Sequence, residues 1–318
     1  MIKELLEKFI FDHFGVSEEL FLESLISNPS ADGYIIGAVS ETLLKHYLES
    51  NNFETVRIKE KPSGGNDAKN EEARGDFYIR KRGSTYDEWL VIESKGLKSN
   101  SEFRGSRFDS PEKLIKYLKK LLFDPSRDNE SIYQKGYAQY SKAKTEWEKK
   151  HPHKSFPPFK WTRDHPGPLS VNLDGIWKDL DDLTHWAKSL DKKAFSEKAY
   201  RNSEGAITVL ETHKPSKRIG KLTGINQAAP LVNDFNILCV DLFLRVRKHL
   251  FVFANAEDLS HSPTSPEHLY QNYTIDILVP GRKNSPIINP PWFLDITDCI
   301  NHAPIKYRKL DPSQIDNR

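Results

Sequence analysis

The sequence predicts an α/β protein in which a central mixed β-sheet is flanked by helices. Three observations support this fold class. Apolar residues recur at helical spacing through much of the first 50 residues. Three short segments between residues 53 and 95 have the composition of strands, and segments 236–244 and 249–254 are rich in β-branched and aromatic residues. Strand segments on both sides of helical ones are typical of a layered α/β fold.

The first 50 residues are predicted to be mostly helical. Apolar residues at helical spacing predict a helix over 2–14 and a second one over 20–26. We expect a loop and helix cap at 30–32, followed by a long helix over 33–50. These helices are expected to pack against the sheet.

Three strands are predicted next. Segment 53–59 alternates apolar and polar residues, and segments 75–80 and 88–95 follow after polar, glycine-containing connections. Residues 89–92 form a continuous apolar run, which favours a central strand that is buried on both faces.

The rest of the chain contains further helices and strands, separated by a proline-rich stretch at 151–168 that breaks regular structure. The predicted elements are helices at 111–123, 129–150 and 173–190, and strands at 206–211, 236–244, 249–254 and 273–279. We expect three regions: packing helices over 1–30, a core over 31–255 with a long basic insertion at about 125–225, and an extension over 256–318 that contains a strand and many prolines.

The bulk composition excludes several classes of protein. The 47 basic residues nearly balance the 45 acidic ones, so any affinity for nucleic acid must come from an uneven placement of charge. Cys239 and Cys299 belong to no pair with zinc-site spacing, and we expect both to be ordinary thiols. The sequence shows no signal-peptide pattern and no apolar stretch long enough to cross a membrane, so we expect a soluble cytoplasmic protein.

Three residues of the predicted strands have the chemistry of a metal-dependent hydrolase. Asp76 and Glu93 lie on neighbouring strands and can supply carboxylate oxygens to one hard cation such as Mg²⁺. Lys95 lies two residues after Glu93 and therefore emerges on the same face of its strand. A fourth candidate, Glu41, lies in the helix before the first strand. Together these residues predict a metal pair with an adjacent ammonium group.

A structural explanation of the same residues stays open at this point. The pattern acid-x-Lys occurs four times in the chain, and only the copy at Glu93 ends an apolar strand. Glu93 and Lys95 could simply form a salt bridge at a solvated strand end, which contributes about 0 to 1 kcal/mol. Glu41 could equally be an ordinary exposed acid on a helix.

The arrangement resembles the PD-(D/E)XK superfamily of restriction endonuclease-like nucleases. The resemblance is carried by Gly75 and Asp76 on one strand, a turn, and an apolar strand that ends in Glu93-Ser94-Lys95. Glu41 is similar to the helical acid that many members use to bind metal. The resemblance covers residues 30–100 and otherwise only the order of elements. Gly75 replaces the proline of the motif, and the late strands follow an unusually long insertion.

The resemblance implies an endonuclease that hydrolyses DNA with Mg²⁺, for which Mn²⁺ can substitute. It assigns Asp76, Glu93 and Glu41 to metal binding and Lys95 to positioning water or stabilising charge. A type II restriction endonuclease that recognises a specific double-stranded sequence is the preferred reading, because the chain has stand-alone size and no ATPase or methyltransferase motif. It also implies a homodimer and a cognate DNA methyltransferase encoded nearby. The alternatives are a structure-specific repair or phage-defence nuclease, a non-catalytic DNA-binding protein of the same fold, and an interaction protein without a nucleic-acid role.

Two basic stretches are candidates for contact with the DNA backbone. The first is interleaved with tyrosines and tryptophans between 133 and 161, and the second contains glycines that let backbone amides approach a phosphate. The alternative for the first stretch is the solvated face of a helix. The predicted DNA-binding residues are Lys142, Lys144, Lys149, Lys150, Lys214, Lys217, Arg218 and Lys221.

Overall fold

The protein is described here by a computed structural model that covers residues 2–59, 74–84, 88–96, 110–122, 129–161, 179–189, 208–211, 218–243, 248–270, 272–275, 277–278, 287–288, 290–302 and 304–316. The helices are α1 (Ile2–Phe14), α2 (Glu18–Ser27), α3 (Pro29–Ser50), α4 (Pro111–Leu122), α5 (Asn129–Lys150), α6 (Leu180–Ser189) and α7 (Ile296–His302). The strands are β1 (Phe53–Arg57), β2 (Phe77–Lys81), β3 (Leu90–Gly96), β4 (Thr208–Glu211), β5 (Arg218–Ile219), β6 (Asn226–Gln227), β7 (Ile237–Asp241), β8 (Phe251–Asn255), β9 (His261–Ser262), β10 (Ser265–Leu269), β11 (Asn272–Ile275), β12 (Ile277–Leu278), β13 (Ile287–Ile288) and β14 (Trp292–Phe293).

The main sheet is mixed, which confirms the predicted fold class at the level of an α/β protein with a central sheet flanked by helices. Its strand order is β1-β2-β3-β7-β8-β14. The pair β3 and β7 is parallel, and the other neighbours are antiparallel. The remaining strands form short two-stranded pairs outside this sheet.

Most predicted elements are present, with shifted ends. Helix α5 has the predicted bounds, and the helix predicted at 111–123 is seen over 111–122, since residue 123 lies outside the described part of the chain. Only residues 180–189 of the helix predicted at 173–190 are seen, as α6, because residues 171–178 and 190 lie outside the described part of the chain. The predicted strand at 273–279 is divided between β11 and β12, and residues 276 and 279 are not described.

The loop and cap expected at 30–32 are wrong, because α3 already begins at Pro29. Proline suits a first helical turn, since the amide that it lacks would have no partner within the helix. The side chain of Asn28 accepts a hydrogen bond from the Ala31 backbone amide at 3.3 Å, as a helix cap does. The boundary that we expected between residues 30 and 31 therefore falls inside this helix.

Two apolar clusters cover the two faces of the sheet. On one face, Leu44 and Leu48 of α3 and Ile296 of α7 pack against sheet residues that include Ile92 and Phe253. Alternation along the strands sends the neighbouring side chains to the other face. That second cluster contains Tyr78, Val91, Leu238, Val240, Val252 and Trp292. Both cysteines are free and buried.

The C-terminal region completes this same sheet. Strand β14 pairs with β8, and Ile315 and Arg308 form single bridges with Ile58 and Trp89. The hydroxyl of Tyr78 donates to Gln314 Oε1 at 2.6 Å inside the core. Residues beyond 256 are thus joined to the strands that carry the candidate site. Across the described ranges, none of the helices combines the length and apolar character that a membrane span requires.

Candidate functional site

The Asp76 carboxylate lies against the backbone of β3, between the positions of Glu93 and Lys95. The antiparallel pairing of β2 with β3 sets Phe77 opposite Ile92. The Asp76 amide donates to the Ile92 carbonyl at 2.8 Å, and Asp76 Oδ2 accepts from the Ser94 amide at 2.6 Å. Two hydrogen bonds therefore hold this acid beside the acid-x-Lys segment.

Gly75 permits this close approach of the two strands. A Cβ atom at this position would lie 2.5 Å from Val91 Cγ1 and 2.7 Å from the Ile92 carbonyl oxygen. Both distances are well below ordinary contact distances between heavy atoms. The glycine that departs from the proline of the family motif thus has a local steric reason here.

Glu93 and Lys95 lie on the same face of β3. They are in parallel register with Leu238 and Val240, whose side chains belong to the second apolar cluster. Lys95 Nζ forms an ion pair with Glu93 Oε1, and the two side chains are only 21% and 17% exposed. The salt bridge that the sequence allowed is present, but it is largely buried rather than solvated.

Charges around this pair are closely coupled. The pKa of Glu93 is raised to about 7, chiefly by burial and also by the charges of Asp76 and Asp234, whereas Lys95 lowers it. Burial alone would lower the pKa of Lys95, but the charges of Glu93, Asp76 and Glu41 outweigh it and raise that pKa. The site is thus rich in negative charge around one ammonium group.

Glu41 lies on α3 and forms an ion pair with Arg57. Arg57 Nη2 donates to Glu41 Oε2 at 2.5 Å. The charge of Glu41 still reaches Lys95 and raises its pKa. The structure thus brings Asp76, Glu93 and Lys95 together, whereas Glu41 belongs to a helix that packs on the face of the first apolar cluster and influences Lys95 only through its charge. The metal-binding role of Glu41 stays a prediction.

The donor atoms suit a hard cation that keeps several water ligands. Among the described residues, no group of three or more His, Cys, Asp or Glu side chains is arranged to hold a metal ion. Mg²⁺ is commonly bound by one or two carboxylates, with water in its other positions. Asp76 and Glu93 supply two such carboxylates from neighbouring strands, on either side of the Ser94 amide that Asp76 binds.

A histidine paired with a buried acid lies at the same end of the sheet and was not found from the sequence. Asp241 is in register with Gly96, at the end of β7, and is 2% exposed. Its Oδ2 atom lies 2.6 Å from His249 Nδ1. This contact orients the imidazole ring and leaves its other nitrogen for further hydrogen bonding. The sequence signal for this pair is Asp241 itself, an acid that ends an apolar strand segment.

The aromatic residues and the lysines of α5 have different environments. Tyr140 and Trp147 are buried in a cluster with Phe156, and Tyr133 stacks on Tyr137. The aromatic residues therefore pack this helix against segment 156–161. The predicted DNA-binding residues of this helix are all exposed: Lys142, Lys144, Lys149 and Lys150.

The second basic stretch adjoins α5. Trp147 Nε1 donates to the Thr223 carbonyl at 2.6 Å, and Lys221 is exposed in the same turn. Arg218 differs, because its guanidinium forms an ion pair with the buried carboxylate of Asp234. The predicted residues Lys214 and Lys217 lie outside the described residues. The turn that carries Lys221 thus packs against the helix that carries the first basic stretch.

No protein-family model matches the chain, and neither the curated proteins nor the solved structures contain a match.

Proposed function

We propose that the protein is a Mg²⁺-dependent DNA endonuclease of the PD-(D/E)XK type, with a restriction endonuclease-like core. The observation that carries the proposal is the convergence of Asp76, Glu93 and Lys95 at adjoining ends of β2 and β3. Phosphodiester hydrolysis needs oxygen ligands for a cation and a positive group beside the reacting phosphate. These residues supply both.

The residues divide the chemistry among them. Asp76 and Glu93 would hold the ion, which when bound polarises a phosphoryl oxygen and makes a coordinated water more acidic. Lys95 is kept positively charged by the acids around it and can donate to a phosphate oxygen or to the attacking water. Its ion pair with Glu93 would have to loosen as the carboxylate turns towards a cation.

The exposed lysines of α5 and Lys221 support DNA as the substrate. They are exposed basic side chains of α5 and of the turn at 221–224, which packs against this helix. Contacts between lysines and phosphates give affinity without reading sequence, and they weaken as salt concentration rises. Arg218 adds less to this surface, since Asp234 already neutralises it.

A type II restriction endonuclease is the finer proposal, with a specific duplex sequence as target and a cognate methyltransferase encoded nearby. A homodimer would match a palindromic target by symmetry. Light scattering would measure the mass of the protein in solution, and twice the mass of one chain would support the homodimer. In a plasmid digest, discrete fragments would support restriction, and smearing or flap cleavage would favour a structure-specific repair or defence nuclease.

The experiment that tests the proposal is plasmid nicking by the wild-type protein with Mg²⁺ and with a chelator. We expect Asp76→Ala to abolish nicking and Lys95→Ala to lower its rate about 10²-fold to 10³-fold, as loss of a charge-stabilising donor does. Lys81→Ala is the matched control, because Lys81 is exposed at the far end of β2. Both site variants should still retard DNA in a gel without divalent ions. Full nicking activity in either one would remove the assignment.

A non-catalytic DNA-binding protein of the same fold is the second candidate. It is favoured by the pairing of Glu93 with Lys95 and by the lack of a three-residue metal group in the described ranges. Salt-dependent DNA binding without any nicking, over Mg²⁺ and Mn²⁺ concentrations in the millimolar range, would support this candidate instead.

A further inference from the structure

A cavity of about 550 Å³ opens between four separate parts of the chain. Its walls come from segments 157–160, 231–236, 255–257 and 305–308, with Lys221 at one side. Clefts that hold small organic ligands have volumes in this range. The cavity can therefore hold a ligand much larger than a simple ion.

The cavity borders the candidate nuclease site. Asp234 and Asn236 form part of its wall. The Asp234 carbonyl accepts from the Arg74 amide at 2.9 Å, and Asn236 Oδ1 accepts from the Val91 amide at 2.8 Å. Each of these donors lies two residues before one of the two acids proposed to bind metal. A ligand in the cavity would thus lie beside the strands that carry the site.

One buried polar group of the cavity has an unused donor. Asn255 is 1% exposed and lines the cavity. Its Oδ1 atom accepts from the Glu257 amide at 2.9 Å, but within the described ranges its Nδ2 atom has no hydrogen-bond partner. A buried donor without a partner is destabilising. Because the Nδ2 atom lies beneath the cavity wall, a turn of this side chain would present the donor to an acceptor atom of a ligand.

The carboxylates of the cavity are already used within the protein. Glu257 pairs with Lys160, Asp234 pairs with Arg218, and Glu267 accepts from the amides of Leu222 and Thr223. The basic side chains at the cavity that remain for a ligand include Lys221 and Lys306, both exposed and without an ion pair to a described residue. The cavity thus offers positive charge to an anion.

The rest of the lining is apolar. Pro157, Leu231, Phe235 and Ile305 form much of the wall between the buried amide and the lysines. A suitable ligand therefore has an apolar body with an acceptor at one end and a negative group at the other. A nucleobase joined through a sugar to a phosphate has this chemistry.

We propose that the cavity binds a nucleoside phosphate, whose base accepts a hydrogen bond from Asn255 and whose phosphate faces Lys221 and Lys306. The ligand has two sources: a nucleotide unstacked from a DNA strand that lies in the neighbouring site, which rests on the proposed nuclease function, or a free nucleotide. Taking one base out of a duplex is a known way to read it in a pocket.

The first arm of the test uses free nucleotides. The four deoxynucleoside 5′-monophosphates are titrated against the protein by calorimetry, with inorganic phosphate as the probe that lacks a base. We expect at least one nucleotide to bind at least tenfold more tightly than phosphate. Asn255→Ser should weaken it about tenfold, because serine keeps the acceptor for the Glu257 amide and lacks the Nδ2 donor. Asn301→Ser is the control, since Asn301 is exposed on α7.

The second arm uses DNA that carries 2-aminopurine, without divalent ions. Fluorescence of this base rises when it leaves the stack. We expect a rise with the wild-type protein that is lost in Asn255→Ser. In the calorimetric arm, Lys221→Ala/Lys306→Ala should bind the free nucleotide at least tenfold more weakly. The lysine variant changes exposed side chains only, so it remains a test if the asparagine variant does not fold.

The outcomes separate this inference from the nuclease proposal. Binding of a free nucleotide that depends on Asn255 or on the two lysines supports the inference, even where plasmid nicking fails. A fluorescence rise that is lost in Asn255→Ser supports it as well. If the protein nicks plasmid but neither nucleotide titration nor 2-aminopurine fluorescence shows binding in the cavity, the inference is overturned and the nuclease proposal stands. Binding that all three substitutions leave unchanged also overturns it.

Discussion

The substitution Gly75→Ala tests the close approach of β2 and β3 that holds the candidate site together. A Cβ atom would lie 2.5 Å from Val91 Cγ1 and 2.7 Å from the Ile92 carbonyl oxygen. Favourable contacts between heavy atoms lie at about 3.5 to 4.0 Å, so the strands must separate locally by about 1 Å. Overpacking of this kind costs about 1 to 3 kcal/mol.

Separation of the strands also weakens the hydrogen bonds of Asp76. Its amide donates to Ile92 at 2.8 Å, and its carboxylate accepts from Ser94 at 2.6 Å. Each such bond contributes about 1 kcal/mol. If about half of each bond is lost, the expected loss of unfolding free energy is about 2 to 4 kcal/mol. Because a displacement of about 1 Å at a reacting group can cost about 10²-fold in rate, nicking should fall by a similar factor.

Urea unfolding followed by circular dichroism measures the first quantity, and plasmid nicking measures the second. Gly37→Ala is the matched control, since Gly37 lies in α3 and an added Cβ there meets nothing within 4 Å in the described structure. Alanine inside a helix is more favourable than glycine by about 1 kcal/mol, so the control should be slightly more stable and equally active. Unchanged stability and activity of Gly75→Ala would refute the steric argument.

Two further predictions follow from single residues. Burial and the nearby charge of Lys160 lower the pKa of His261 to about 4. Below about pH 6.5 the imidazole binds a proton in the unfolded state but not in the folded state. The stability that the neutral ring provides is therefore complete above this pH and declines as pH falls towards 4. Between pH 7.5 and pH 5, the unfolding free energy measured with urea should fall by about 2 kcal/mol less in His261→Gln than in the wild type. An equal fall in both proteins would contradict the role of this ring. Separately, Glu41→Gln should slow nicking only about tenfold, because Glu41 is paired with Arg57 and acts on Lys95 through its charge. Complete loss of nicking would instead identify Glu41 as a direct metal ligand.

The sequence alone was sufficient for features that depend on near neighbours. Alternation along a strand sets Glu93 and Lys95 on one face, and the structure has them in register with two residues of one cluster. The helical stretch predicted at 129–150 likewise coincides with α5. These patterns depend on residues two to four positions apart, so they are readable without knowledge of the fold.

Contacts between distant segments were decided only by tertiary structure. The parallel pairing of β3 with β7 brings Asp241 and its partner His249 to the end of the sheet that carries Glu93. The aromatic residues interleaved with the lysines of α5 pack against segment 156–161, although the sequence grouped them with the basic residues. Both outcomes depend on which segments lower the free energy most when they pack together. That free energy is a property of the whole chain rather than of any local pattern.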